Sequence, residues 1–313
     1  MIRLCGRSEV GWPSRYGSIS SMGDHPEGVS PASMLRHLAE GGWTLDDRVD
    51  SGTAMWRHPG SDAPELSYPE DVRESLFTVE DTSWWFRARN QVIESVLTAN
   101  VADCWILEIG AGNGSVAAAL ARSGYAVVAV EPSPAGCEMM ARRGVPIVVE
   151  GELDSLHLMA GTVPVIGLFD VIEHLEDDAT LLREVYRVLS PSGCCLVTVP
   201  AYQWLWSQAD DAAGHFRRYS LQMLDRSMMG NGFEAVFRSY FFTLATLPMF
   251  LIRSVPYRLG RREPLEQVEA RSVSELSKQS SVGTIAARFE ARRLAARGRL
   301  PFGTSIIGLY RRR

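Results

Sequence analysis

The sequence I-L-E-I-G-A-G-N-G occupies residues 106–114. A short apolar segment, residues 105–109, leads into the three glycines, and an alanine-rich segment with helical character follows at residues 115–123. A sharp turn that a ligand approaches closely needs glycine, because side chains would block the approach. The helix after the turn supplies free N–H groups and the positive end of its dipole. The stretch therefore predicts a ligand-binding turn between a strand and a helix.

The spacing of these glycines separates two classes of cofactor. A dinucleotide-binding turn follows the pattern GxGxxG, which would place a third glycine at position 115. This chain has Ser115 there, and its third glycine, Gly114, comes one residue earlier. The spacing argues against a dinucleotide, and a NAD-dependent oxidoreductase stays as an alternative.

Strands and helices alternate outward from the glycine turn. Predicted strands occupy residues 105–109, 126–130, 145–149, 163–169 and 193–199, and predicted helices occupy residues 115–123, 134–143 and 178–189. This alternation is typical of a parallel, doubly wound α/β sheet. The last third predicts a helix at 221–229, a strand at 233–241, helical segments within 243–297 that break near Gly283, and a strand at 304–310.

An acidic residue follows the second predicted strand. Glu131 lies 17 residues past Gly114. A carboxylate at this distance from the turn accepts strong hydrogen bonds from both hydroxyls of a ribose. A solvated glutamate at a strand end is the alternative interpretation.

Further segments carry a resemblance to a known family. They are F-D-V-I-E-H at residues 169–174 and R-E-V-Y-R-V-L-S-P-S-G at residues 183–193. Together with the glycine turn and Glu131, they resemble the class I S-adenosylmethionine-dependent methyltransferases of the methyltransferase-11/12 and ubiquinone/menaquinone-biosynthesis-like groups. S-W-W-F-R-A-R-N at 83–90 and G-H-F-R-R-Y-S at 214–220 resemble a bacterial subgroup of that family.

The resemblance implies a fold and a cofactor. The fold is a Rossmann-like, doubly wound, seven-stranded sheet of order 3-2-1-4-5-7-6 whose last strand is antiparallel, with residues 304–310 as that strand. The cofactor is S-adenosyl-L-methionine, and Glu152 and Leu153 would meet its adenine. The cofactor-binding residues implied in this way are Glu108, Gly110, Ala111, Gly112, Gly114, Glu131, Pro132, Glu152, Leu153 and Asp170. Their elements end at the carboxyl edge of the sheet, where such folds bind ligands.

Two histidines are candidates for the catalytic base. Methyl transfer to a hydroxyl needs an aligned acceptor and a group that takes its proton, and histidine titrates near neutral pH. His174 follows the fourth strand and His215 lies in a later loop; a loop-fixing role is the alternative for His174. A metal site built from Glu173, His174, Asp177 and Asp178 is a further alternative. Helix capping by Asp177 and Asp178 is the preferred interpretation, so no metal is predicted.

The predicted acceptor site comprises Trp85, Arg217, Arg218 and Tyr219. Arginine would bind a carboxylate or phosphate of the acceptor, although salt-bridged surface arginines explain the same pattern. The predicted reaction is O-methylation of a small molecule such as a secondary metabolite, a sugar or a quinone-like compound. A non-catalytic module that binds S-adenosylmethionine is a second alternative to this enzyme.

Composition limits the partners and the compartment. A net charge of −5 gives no electrostatic reason to expect nucleic acid. Five cysteines without a CxxC pair, and no apolar export signal, predict a cytoplasmic protein. The apolar stretch 240–252 is too short to span a bilayer, so it is expected to cover the sheet or form a homodimer face, with membrane contact as the alternative.

The chain divides into two parts by composition. Residues 1–65 form an N-terminal extension that is expected to be partly disordered over about its first 30 residues, with one helix at 29–41 capped by Ser30. Residues 66–313 form the methyltransferase domain, with a helical insertion at about 243–300. Truncation before about residue 60 is accordingly expected to leave thermal stability nearly unchanged.

Overall fold

The computed structural model describes residues 30–46, 52–58, 70–101 and 104–313. The disorder predicted for about the first 30 residues lies outside the described residues. The helix predicted at residues 29–41 is present as α1 (Pro31–Glu40), and its N-cap is Ser30 as predicted.

One nine-stranded sheet contains all the strands of the described residues, in the order β1-β2-β5-β4-β3-β6-β7-β9-β8. The strands are β1 (Thr44–Leu45), β2 (Ala54–Arg57), β3 (Ile106–Ile109), β4 (Val127–Glu131), β5 (Ile147–Glu150), β6 (Val163–Phe169), β7 (Leu189–Pro200), β8 (Phe233–Phe241) and β9 (Ser305–Arg312). From β5 to β8 the order is the predicted 3-2-1-4-5-7-6. Strand β9 is antiparallel to both β7 and β8, which confirms the predicted inserted strand.

The predicted strand count is wrong by two, because the N-terminal extension adds β1 and β2 to the edge of the sheet. Strand β2 pairs in parallel with β5, with Met55 opposite Val148, and β1 pairs antiparallel with β2. Met55 is fully buried and Trp56 is 7% exposed. The extension between residues 30 and 57 is therefore packed against the domain wherever the structure describes it.

Helices cover both faces of the sheet. Besides α1 they are α2 (Glu70–Thr82), α3 (Trp84–Asn100), α4 (Ser115–Arg122), α5 (Pro134–Arg142), α6 (Asp178–Val188), α7 (Gln208–Ala212), α8 (Leu221–Gly230), α9 (Thr246–Met249), α10 (Val255–Arg258), α11 (Leu265–Ser277) and α12 (Ser281–Ala295). A π-helical turn, Phe250–Ser254, joins α9 to α10. No helix within the described ranges is long and apolar enough to cross a membrane.

The central strands are buried on both faces. Leu107 and Val128 belong to one hydrophobic core, whereas Ile106 and Val127 belong to the core on the other side of the sheet. This double burial explains the continuous apolar runs of β3 and β4, since a parallel sheet covered on both faces has no polar side.

Local capping signals fix the starts of several helices. Asp177 is the N-cap of α6 and accepts a hydrogen bond from the Ala179 N–H at 3.1 Å, as predicted. Helix α3 begins after Ser83, whose side chain accepts from the Trp85 N–H at 3.2 Å. Helices α2 and α3 are thus separated at this cap.

The helical insertion, α9 to α12, lies between β8 and β9. Its two ends meet, because Phe241 pairs with Ser305 across these strands. The break predicted near Gly283 lies earlier, between α11 and α12. Gly283 is inside α12, where an added Cβ would come within 2.8 Å of the Trp84 ring. The glycine therefore allows α12 to pack closely on α3.

Candidate functional site

The glycine turn between β3 and α4 holds three residues with positive φ. Gly110, Gly112 and Gly114 have φ angles of 67°, 57° and 76°. An added Cβ at Gly114 would come within 2.5 Å of Met140 Cγ, whereas one at Gly112 would meet nothing within 4 Å. Gly114 thus permits packing of α4 on α5, and Gly112 leaves open space at the turn, where it lines a cavity.

Glu131 ties the end of β4 to this turn. Its Oε2 accepts a hydrogen bond from the Gly112 N–H at 2.8 Å, and its Oε1 accepts one from the Ser133 N–H at 3.2 Å. The residue is only 4% exposed. The carboxylate is therefore held in place beside Gly112, and the ribose assignment stays a prediction.

Glu108 is a buried carboxyl beneath the turn, 2% exposed. Its Oε2 has no hydrogen-bond partner among the described residues. Burial raises the pKa of Glu108 to about 8; the Arg89 charge partly opposes this effect, and the Glu131 charge adds to it. The carboxyl is therefore largely protonated near neutral pH in the unliganded protein.

Glu108→Gln should stabilise the unliganded protein in a pH-dependent way. The pKa of Glu108 in the folded protein lies above its ordinary value. Glu108 therefore does not lower the free energy of unfolding below about pH 4.5, and it lowers this free energy increasingly as the pH rises toward about 8. We expect almost no gain near pH 4 and at least about 1 kcal/mol near pH 9, since one pKa unit corresponds to about 1.4 kcal/mol. Urea unfolding at both pH values measures the difference, and an equal gain at both would contradict the raised pKa.

A cavity of about 870 Å³ opens onto the glycine turn. One end is lined by Glu108, Gly110, Ala111, Gly112 and Asn113, and the other by Asp170, Glu173, His174, Asp210, His215 and Arg218. Side chains from α3 and from the helical insertion, among them Trp84, Trp85, Leu244 and Ile252, form further walls. The cavity therefore joins the predicted cofactor turn to both predicted catalytic histidines.

Asp170 lies where β6 ends and is fixed by two neighbouring elements. It accepts a hydrogen bond from Thr198 Oγ1 at 3.0 Å and forms an ion pair with Arg89, whose Nε lies 2.9 Å from Asp170 Oδ2. Arg89 also donates to the Phe169 carbonyl at 3.2 Å. Helix α3 is thereby attached to the carboxyl edge of the sheet.

Glu173 and His174 form a short 3₁₀ turn, Ile172–His174, on the cavity wall. Glu173 is fully buried, and burial together with the Asp170 charge raises its pKa well above the ordinary value. Burial and the neighbouring His215 lower the pKa of His174 to about 4. His174 therefore carries a neutral imidazole at neutral pH.

His215 is oriented by a buried carboxylate. Its Nδ1 lies 3.0 Å from Asp210 Oδ1, the same oxygen that accepts a hydrogen bond from Arg218 Nε at 2.7 Å. Burial alone would raise the pKa of Asp210, but the hydrogen bond with His215 and the Arg218 charge lower it overall. The rings of His174 and His215 meet edge to face with centroids 4.8 Å apart.

The predicted acceptor residues occupy different environments. Trp85 lines the cavity and stacks on Phe242 with centroids 3.8 Å apart, and Arg218 lines it while bound to Asp210. The Tyr219 hydroxyl is buried and donates to Asp178 Oδ2 at 2.9 Å. Arg217 donates to the Glu176 carbonyl at 2.5 Å. Neither Tyr219 nor Arg217 is among the cavity-lining residues, so only Trp85 and Arg218 are placed to meet a ligand there.

The predicted adenine-binding loop follows β5, beside the end of β4. The Gly151 N–H donates to the Glu131 carbonyl at 3.1 Å, which holds the loop against β4. Glu152 is exposed and Leu153 is buried in the core. Pro132 is half-buried beside Glu131. The adenine assignment stays a prediction.

Sequence reasoning missed three residues that organise the site. Arg89 anchors Asp170, Asp210 orients His215 and Arg218, and Arg143 donates to the Asn113 carbonyl at 2.7 Å behind the glycine turn. The S-W-W-F-R-A-R-N motif contains Arg89 but shows no partner for it. No local pattern marks Asp210 or Arg143, because their partners come from other segments.

The fold and the site define a class of protein. Residues 107–197 match the model of a methyltransferase domain family. The solved structure of the [4+2]-cyclase SpnF has a similar fold, with a TM-score of 0.51 and 18% identity, over 78% of this chain and 93% of that one.

Two curated relatives make the assignment more specific. A protein of Mycolicibacterium smegmatis, described as a probable S-adenosylmethionine-dependent methyltransferase, is 34% identical over 121 residues, which are 38% of this chain and 47% of the relative. A relative in Mycobacterium tuberculosis with the same description is 35% identical over 152 residues, 46% of this chain and 55% of the relative. The chain spans about half the length of these relatives. Residues 107–197 match a methyltransferase domain, and both relatives are described as probable S-adenosylmethionine-dependent methyltransferases, which supports the predicted class and its cofactor.

Proposed function

We propose that this protein transfers a methyl group from S-adenosylmethionine to an oxygen atom of a small molecule. One observation carries the proposal: a single cavity extends from the glycine turn to the paired His174 and His215. A methyl donor at the turn and an acceptor beside the histidines would share this cavity. Such positioning supplies much of the rate of an in-line displacement.

The residues of the turn fit the cofactor. Gly112 leaves room for a ligand against the backbone, and the buried Glu131 carboxylate lies beside it. Glu131 would bind the ribose, Glu152 the adenine amine, and Asp170 the acceptor-facing side of the cofactor. When bound, S-adenosylmethionine supplies an electrophilic methyl carbon, which the acceptor oxygen takes as the carbon–sulfur bond breaks, leaving S-adenosylhomocysteine.

The acceptor hydroxyl must lose its proton as the new carbon–oxygen bond forms. His215 is the better suited of the two predicted bases, because the Asp210 carboxylate orients its ring through Nδ1. His174 is a weaker base, because its pKa is lowered to about 4. In this arrangement His174 positions the acceptor and His215 takes the proton.

The cavity walls favour an acceptor with an apolar ring. Trp85, Leu244 and Ile252 contribute apolar surface. Arg218 is a basic group beside the histidines, and its charge is already paired with Asp210. Among the predicted acceptors, a quinone-like compound therefore fits this lining better than a sugar. The exposed Leu247 and Leu251 of the insertion stay a predicted homodimer face.

Calorimetric titration with S-adenosylmethionine and S-adenosylhomocysteine tests the proposal. We expect micromolar binding of both, and a loss of about tenfold or more in Glu131→Gln, because a hydrogen bond to a charged group contributes about 1.5–3 kcal/mol. Gln keeps the shape of the side chain and one acceptor oxygen for the turn.

Glu138→Gln on the exposed side of α5 is the matched control and should bind like the parent. Equal affinity of parent and Glu131→Gln would refute the ribose assignment. Absence of binding to either ligand, together with binding of NADH, would replace the proposal with the oxidoreductase alternative.

A further inference from the structure

Three potential metal ligands converge at the acceptor end of the cavity. One ligand atom each from Glu173, His174 and His215 lies within 4.8 Å of the other two. The residues come from two segments 41 positions apart in the chain. A hydrogen bond from the Phe216 N–H to the Glu173 carbonyl, at 2.8 Å, holds the two segments together. The cluster is therefore a product of the tertiary fold.

Glu173 gives this cluster an unsatisfied ligand. The residue is fully buried and lines the cavity. Neither of its carboxylate oxygens has a hydrogen-bond partner within the part of the chain that the structure describes. Burying a polar group without a partner is costly, and burying an unpaired charge is more so, unless a cation or a donor compensates for it. A cation between Glu173 and the histidines would supply that compensation.

Both histidines are oriented in the way that metal-binding histidines usually are. A metal-binding imidazole commonly uses its second nitrogen to hydrogen-bond a carboxylate or a backbone carbonyl. His215 does so through Nδ1, which lies 3.0 Å from Asp210 Oδ1. His174 has a backbone hydrogen bond with Ala213. Asp210 is in turn held by its ion pair with Arg218, so the carboxylate that orients His215 is itself fixed in place.

We propose that Glu173, His174 and His215 bind a divalent transition-metal ion on the acceptor side of the cavity. Two imidazoles and one carboxylate suit Zn²⁺, Fe²⁺ or Mn²⁺ better than Ca²⁺ or Mg²⁺, which prefer ligand sets made of oxygen atoms. Three protein ligands leave coordination positions open for oxygen atoms of a substrate.

The ion gives the proposed methyl transfer a second way to activate its acceptor, and this part of the inference rests on the proposed function. A hydroxyl bound to the ion loses its proton to solvent more easily, because the positive charge stabilises the alkoxide or phenolate. The oxygen then bonds to the methyl carbon as the carbon–sulfur bond breaks, and the oxidation state of the metal does not change. His215 acts in this case as a ligand in place of a base.

Titration of the full chain with Co²⁺ after treatment with a chelator tests the site directly. We expect one Co²⁺ per chain, visible absorption bands typical of nitrogen and oxygen coordination, and loss of these bands when Zn²⁺ is added in competition. Glu173→Gln and His215→Gln should each weaken Co²⁺ binding by at least about tenfold. Even substitution of a residue that only hydrogen-bonds a metal ligand commonly lowers metal affinity by about that factor. Asp177→Asn is the matched control, since this exposed cap lies outside the cluster and asparagine caps equally well.

Thermal melting and binding of S-adenosylmethionine are measured on the same proteins. Unchanged melting and cofactor binding in Glu173→Gln, with weakened Co²⁺ binding, would support the site. Absence of Co²⁺ binding by the parent, or equal binding by the parent and both variants, would overturn it. Co²⁺ binding without any binding of S-adenosylmethionine would leave the metal site standing and remove the proposed function, so the two failures are distinguishable.

Discussion

Gly112→Val should abolish binding of S-adenosylmethionine. Gly112 has a φ angle of 57°, a conformation that a β-branched residue rarely adopts. Its missing Cβ faces open space on the ligand side of the turn, so valine would put methyl groups where the cofactor is proposed to lie. We expect the affinity measured by calorimetry to fall at least about 100-fold, which corresponds to about 2.7 kcal/mol.

Gly144→Val is the control for backbone strain. Gly144 has a φ angle of 77° and likewise nothing within 4 Å of an added Cβ, but it lies after α5 and away from the cavity. This variant should lose stability like Gly112→Val and keep its cofactor affinity. Normal binding by Gly112→Val would place the cofactor elsewhere, and equal losses in both variants would attribute the effect to strain.

Removal of residues 1–60 should destabilise the domain severely, contrary to the expectation from composition. Leu38, Trp43, Met55 and Trp56 are all at most 7% exposed, and burial of each large apolar side chain contributes about 1.5–3 kcal/mol. The deletion also exposes the edge of β5, a site for aggregation. We expect a loss of more than about 5 kcal/mol in urea unfolding, comparable with the whole stability of many domains.

A chain that begins at residue 29 is the matched control, because it keeps α1, β1 and β2. We expect it to melt like the full chain, in line with the disorder predicted for the preceding residues. A chain that begins at residue 61 and still melts like the full protein would show that the N-terminal layer contributes little.

Strands formed by long apolar or alternating runs were predictable from the sequence. The strands Val163–Phe169 and Phe233–Phe241 have the predicted limits to the residue, because each is a continuous apolar or alternating run between clear breaks. Strands β1 and β2 were not predicted, since two and four residues are too few to show a period. Their strand conformation depends on pairing with β5, a tertiary contact that no local pattern encodes.

The candidate site was likewise only partly predictable from the sequence. The glycine turn, Glu131 and Asp170 were predictable, because the carboxyl ends of parallel strands share one edge. His174 and His215 were predicted separately as competing bases, whereas the structure puts their rings 4.8 Å apart. This contact between the two rings depends on the loop after β7 packing against the 3₁₀ turn. No spacing pattern in the sequence predicts that packing.

The two ends of the helical insertion lie next to each other, and this has a consequence for the evolution of acceptor specificity. Phe241 and Ser305 are paired neighbours, and Glu290 of α12 accepts hydrogen bonds from the N–H groups of Phe242 and Thr243 at the base of the insertion. The segment 242–304 is therefore an insertion whose two ends are neighbours in the sheet, held together by the pairing of β8 with β9. Exchange of this segment would change one wall of the cavity and leave the glycine turn unchanged. Related proteins could in this way acquire different acceptors.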